Sequence, residues 1–247
     1  MNFQKFCAAV FVFAMTIAVG SASAAVCSNA SLNGVVGYIT AGVLTGVGTS
    51  AASMGQVTYD GKGSFTATGT NSVDGAIAPV SFSGTYSIES NCTGSVTITS
   101  PNHATYNIVL DDMRKGYQLI ETDGVYIASG FGIPQGTATC NFSGKKLTFA
   151  ASLAGSAVGL GPVVSVSQVM LNGKGGLSGS ATFDLAGTLE SGDISGSYTA
   201  NSDCTGTAQI TLSGFTINFN LVAVNSGKEL LAIETDNDTV VVGTFQE

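Results

Sequence analysis

The stretch SNCTGSVTIT at residues 90–99 is written again, little changed, as SDCTGTAQIT at residues 202–211. Widened to residues 84–99 and 196–211, the two stretches share eight of sixteen positions at a spacing of 112. Other landmarks keep the step. Gly61-Lys62-Gly63 maps to Gly173-Lys174-Gly175, Cys27 to Cys140, and Glu121-Thr122-Asp123 to Glu234-Thr235-Asp236. Repeats of ~20–50 residues build solenoids, whereas a unit of this length is a domain in itself. The chain is therefore expected to fold as two similar domains, residues 25–135 and 136–247.

The residues before the first copy read as an export signal. Lys5 supplies the positive start, Phe6 to Val19 is an apolar run, and Ala22-Ser23-Ala24 is a small-x-small cleavage site. Residues 1–24 are expected to be removed, and the protein to be secreted: periplasmic, on the cell surface or extracellular. Val26 before Cys27 is unsuited to lipidation. Four cysteines then remain, Cys27, Cys92, Cys140 and Cys204. An even number in an exported chain reads as disulfides. Of the three connectivities, the simplest gives each copy one staple, Cys27–Cys92 and Cys140–Cys204. Closing a loop of this size contributes about 4 kcal/mol in the chain-entropy model. Gly94 and Gly206, after each central cysteine, are expected to serve a bend of the chain.

Within each copy, apolar and polar residues alternate. Phe82, Tyr86 and Ile88 fall on one face, as do Val96 and Ile98, and as do Phe215, Ile217, Phe219 and Leu221. Period two marks strands with one buried and one wet face. Asp60-Gly61 and Asn172-Gly173 are the strongest hairpin signals. Copy one divides into eight strands, near 32–44, 53–59, 63–71, 79–89, 93–100, 104–111, 116–122 and 125–131, and copy two repeats the count. With 33 glycines, no tryptophan and no helical periodicity, the chain is read as all-β: two tandem antiparallel eight-stranded barrels, one disulfide each.

The order of these motifs resembles a group of exported bacterial proteins, frequent in soil bacteria. Their domains carry C-S-x-A-S-L-x-G, D-G-x-G, G-T-Y-x-V-x-x-D-C-T-G-T and I-x-T-D in that order. Here these correspond to Cys27–Gly34, Asp60–Gly63, Gly84–Ser95 and Ile120–Asp123, and in copy two to Gly196–Thr207 and Ile233–Asp236. The opening of copy two, CNFSGKKL, departs from the pattern. The barrels of allene oxide cyclases, dirigent proteins and calycins are a looser, fold-level similarity. The resemblance implies a location and a fold, and no reaction.

Candidate chemistry is sparse. His103 is the single histidine, at a turn, and no Gly-x-Ser-x-Gly accompanies it. Cysteines held in disulfides and one histidine cannot make a zinc site, and no cofactor is expected. Glu234, Asp236 and Asp238 stand at alternate positions as calcium candidates, but an EF-hand would need glycine where Thr239 stands. Glu121 and Glu234 are the acid–base candidates. If Tyr117 and Leu119 point inward, Glu121 does too, at a barrel mouth where it could serve a lumen ligand. Ile120 and Ile233, on the opposite face, are the alternative inward set. The bulk of Phe82, Tyr86, Ile88, Tyr106, Ile108 and Leu110 points to a filled core in copy one, and Ala200 and Ala208 to a roomier lumen in copy two.

Without Lys5, seven basic residues face sixteen acidic ones, a formal charge of −9 that disfavours nucleic acid and anionic lipid surfaces. Weak aromatic girdles and domain-local staples argue against membrane insertion. Three functions follow. The first is a secreted non-catalytic structural or surface protein that self-associates or binds polymers, since no convergent catalytic set is present. The second is a carrier for a small apolar ligand. The third is an enzyme like the allene oxide cyclase and dirigent barrels.

Overall fold

The computed structural model describes residues 26–111, 116–136 and 144–247. The expected signal segment and Cys140 lie outside these residues. The first copy forms β1 (Asn33–Leu44), β2 (Ser50–Asp60), β3 (Ser64–Val73), β4 (Ala76–Ile88), β5 (Thr93–Ser100), β6 (Ala104–Asp111), β7 (Gly116–Glu121) and β8 (Tyr126–Pro134). The second forms β9 (Leu147–Ala157), β10 (Gly161–Leu171), β11 (Gly176–Leu185), β12 (Thr188–Ala200), β13 (Thr205–Leu212), β14 (Phe215–Val224), β15 (Glu229–Glu234) and β16 (Thr239–Gln246). Within each copy, each strand pairs antiparallel with the next. β8 closes onto β1 with Val36 opposite Pro134, and β16 onto β9 with Thr239 opposite Ala157. The result is two closed up-and-down barrels, which leave no sheet edge unpaired.

The duplicated motifs are the turns that hold these meanders in register. Cys92 and Cys204 both take a left-handed backbone, with φ of 67° and 69°. The residue before each stabilises that turn: Asn91 Oδ1 accepts from the Thr93 amide and hydroxyl, and Asp203 Oδ1 does the same for Thr205. Gly94 serves a close approach, not a bend. It lies in β5 opposite Ile88, and a Cβ there would stand 2.3 Å from the Ser87 carbonyl oxygen. At the hairpins, Asp60 Oδ1 collects the amides of Lys62, Gly63 and Ser64, and Asn172 Oδ1 those of Lys174 and Gly176. The Cys27–Cys92 disulfide is formed. Cys204 is buried at the place equivalent to Cys92, and its expected partner Cys140 lies outside the described residues.

Residues 27–32 close one end of barrel 1. Leu32 sits in the core, while the Tyr86 hydroxyl donates to the carbonyls of Asn29 and Leu32 and Asn29 Oδ1 accepts from the Ile88 amide. The barrels lie side by side. Ile39, Ala52, Met54 and Ile133 of barrel 1 pack with Val222, Val224, Leu231, Ile233 and Val240 of barrel 2 in a third apolar core. Gly37 permits this contact, because a Cβ there would stand 2.4 Å from Val224 Cγ1. Polar contacts rim it: Asn220 Nδ2 donates to Thr70 Oγ1, Ser72 Oγ to the Thr239 carbonyl, and Gln56 Nε2 to the Asp203 carbonyl. Gln135, in the connector, is buried between the barrels. Its side chain donates to the Ala223 carbonyl and its own carbonyl accepts from Ser226.

Candidate functional site

The inward sets differ between the barrels, and the difference makes a site. In β7, Tyr117 and Leu119 face the core of barrel 1 and Ile120 faces solvent. In β15, Leu230 and Ala232 face the core of barrel 2, while Ile233 is buried against barrel 1. Strand alternation then places Glu121 and Glu234 on the inward side of their strands.

Barrel 1 is hollow in its upper half, where a cavity of about 350 Å³ opens between the β3–β4 and β5–β6 ends. Barrel 2 is filled: its lumen, between Phe149, Tyr198 and Phe245, holds about 10 Å³. This reverses the expectation drawn from side-chain bulk. Three positions decide it. Thr40, Asn71 and Ala104 line the barrel 1 cavity. Their equivalents at the 112–113 step are Leu153, Phe183 and Ile217, which pack against the core of barrel 2. Of the large residues of copy one, Tyr86, Ile88, Ile108 and Leu110 lie outside the cavity lining, whereas Phe82 and Tyr106 form part of its wall, and Ala200 and Ala208 are too few to hollow barrel 2.

The cavity wall is aromatic with polar tips. Tyr59 meets Tyr117 edge to face at 6.0 Å, Tyr38 meets Phe82 edge to face at 5.7 Å, and Tyr59 meets Phe65 at a tilt at 5.8 Å. The Tyr59 hydroxyl donates to that of Tyr117 at 3.0 Å, and the Tyr38 hydroxyl pairs with Ser53 Oγ at 3.0 Å. Burial raises the Tyr117 hydroxyl to about 12, and raises Tyr38, Tyr59 and Tyr106 as well, so the wall stays uncharged at ordinary pH. No Asp, Glu, Lys, Arg or His lines the cavity among the described residues. Asn71 Oδ1 is buried without a hydrogen-bond partner. Such a lumen suits an uncharged ligand, because an ion would lose its hydration with no opposite charge to replace it. Sequence reasoning missed Tyr38, Tyr59 and Asn71. The signal was present: six of the seven tyrosines fall in copy one, and Ala151, Leu171, Phe219 and Leu230 stand where Tyr38, Tyr59, Tyr106 and Tyr117 would recur.

Glu121 stands at the rim, directly across from Tyr106. Its Oε1 accepts from the Tyr126 amide at 3.0 Å. Burial first, and a hydrogen bond to Asp123 second, raise it to about 7. Asp123 is held below the usual carboxylate range by that bond and by the amides of Val125 and Thr105. Glu234 is likewise raised to about 7, chiefly by burial. Asp236 is engaged by the Asn218 amide and side chain, and the Asp238 amide donates to the Gly75 carbonyl of barrel 1. The Glu-Thr-Asp repeat is thus a buried acid followed by a carboxylate that ties adjacent strands. Among the described residues no three Asp, Glu, His or Cys side chains gather as a metal site. His103 is exposed in the loop before β6.

No protein-family model matches this chain, and no curated protein matches it. Among solved structures it is similar to CghA, in a crystal structure with Sch210972. That likeness covers 86% of this chain and 88% of that chain at 10% identity and a TM-score of 0.29, too low to carry an argument about function. No helix among the described residues is long and apolar enough to cross a membrane.

Proposed function

We propose that this is an exported binding protein whose first barrel holds a small uncharged ligand and whose second barrel is a rigid companion. One observation carries the reading: two copies of one fold, of which one lumen is open at about 350 Å³ and the other filled. The volume lies at the small end of ligand pockets, ~300–1,000 Å³. Water takes about 30 Å³ apiece in the liquid, so the space suits a ligand displacing roughly a dozen waters. Aromatic walls supply the apolar contact, and the tyrosine hydroxyls and the Asn71 amide supply orientation. The motif resemblance to exported bacterial proteins and the disulfide support a place outside the cytoplasm.

The test uses residues that barrel 2 already accommodates. The triple variant Thr40→Leu, Asn71→Phe, Ala104→Ile should close the lumen without misfolding. Titration with 2-naphthol, followed by its fluorescence, should show saturable binding to the unmodified protein and none to the variant. The same charge-free ring bearing a carboxylate, 2-naphthoate, should not bind. Equal binding of 2-naphthol to both proteins would place it outside the lumen and refute the reading.

A further inference from the structure

The contact between the barrels is not symmetric. Barrel 1 contributes a face on β1–β3 and β8, whereas barrel 2 contributes a different face, on β14–β16. Because the barrels are copies, each also carries the equivalent of the other's face, and the contact between them uses neither.

On barrel 2, Gly37, Ile39, Met54, Gln56, Thr70 and Ile133 have the equivalents Ala150, Ser152, Val166, Gln168, Thr182 and Gln246. All six line an open groove of about 820 Å³. On barrel 1, Val222, Ile233 and Val240 have the equivalents Val109, Ile120 and Ile127. The first three are 3%, 0% and 4% exposed, and their equivalents are 54%, 55% and 69% exposed. Val166, in the groove, is 61% exposed, whereas Met54 in the filled version is 1% exposed. The hydrogen-bonding pair recurs too: Asn107 stands where Asn220 does, and Thr182 where Thr70 does.

We propose that the groove on barrel 2 receives the β6–β8 face of barrel 1 from a second copy of this chain. The intramolecular contact is the template, and the occupant follows from the duplication. Exposed apolar residues on a polar-rimmed face mark such a surface. Gln118 replaces Leu231, Asp111 replaces Val224 and Ser152 replaces Ile39, so the contact between copies is more polar than the one within a chain. It is a contact that forms and parts with concentration. Each copy offers one groove and one face, so the contact is head to tail, and repetition gives an open chain or a ring.

Sedimentation of residues 25–247 from micromolar to millimolar concentration tests this. The mass should climb through multiples of the protomer. Val166→Glu spoils the groove and Ile120→Glu the face, so each variant alone should remain monomeric. Mixed, they should form a one-to-one dimer and nothing larger, since each supplies the half that the other lacks. A monomer at every concentration overturns the proposal, as does either variant associating like the unmodified protein. If a variant fails to fold, the pair Asn107→Cys and Thr182→Cys in one chain should link copies into a covalent ladder on oxidation, and its failure to do so overturns the proposal equally.

Discussion

Replacing Glu121 with glutamine should stabilise the protein above pH 7 and leave it nearly unchanged near pH 4. In the folded protein this acid is raised to about 7 from an ordinary 4.5. Between those values the unfolded chain has released the proton and the folded chain still holds it, so stability falls as pH rises through the window. The contribution is full below the unfolded value and gone above the folded one. A shift of this size corresponds to at most about 3 kcal/mol for a fully buried group, and screening by water at the open rim reduces it to about 1–2 kcal/mol. Glutamine keeps the acceptor for the Tyr126 amide and a donor towards Asp123, and it carries no charge at any pH. Urea unfolding at pH 4, 6 and 8 reads the effect. The two proteins should agree at pH 4, and the variant should lead by about 1–2 kcal/mol at pH 8. Equal stability at pH 8, or a loss there, would show that the rim does not resist the charge on Glu121. Glu234→Gln should behave alike, and because the sites lie in separate barrels the two gains should add.

Further outcomes follow from packing and pairing. Gly37→Val should cost about 1–3 kcal/mol by forcing the barrels apart at Val224, measured by thermal unfolding. Cys92→Ser should lower stability by about 2–4 kcal/mol, because it frees a loop of 65 residues and unpins residues 27–32 from the barrel end. Asp236→Ala should cost about 1–3 kcal/mol, since the Asn218 amide loses its acceptor, and hydrogen exchange at Asn218 should quicken.

The strand plan was legible because alternation and turn residues are local. Asp60-Gly61, Asn172-Gly173 and the Cys-Thr-Gly turns each sit where two strands reverse, and their hydrogen bonds run within a few residues. Strand ends were less legible. β2 begins at Ser50, before its alternating core, because the small residues Ser50, Ala51 and Ala52 pair without a strong inside–outside pattern, and β8 runs to Pro134 because Ile133 is buried on its outer side against the other barrel. The face of Glu121 was undecidable from its own strand: Ile120 is apolar yet exposed, and its equivalent Ile233 is buried only because a second barrel covers it. The lumen was misjudged because total bulk was weighed instead of its height along the barrel. Thr40, Asn71 and Ala104 belong to three strands far apart in sequence, and only closure of the sheet brings them to one level.

Native mass spectrometry of the protein isolated from its own source, disulfides intact, reads directly whether the lumen of barrel 1 carries a ligand. A discrete added mass from one small uncharged molecule is expected, released on unfolding and absent from the Thr40→Leu, Asn71→Phe, Ala104→Ile variant. An added mass that the variant retains in full would place the ligand outside the lumen and rule out a binding role for barrel 1.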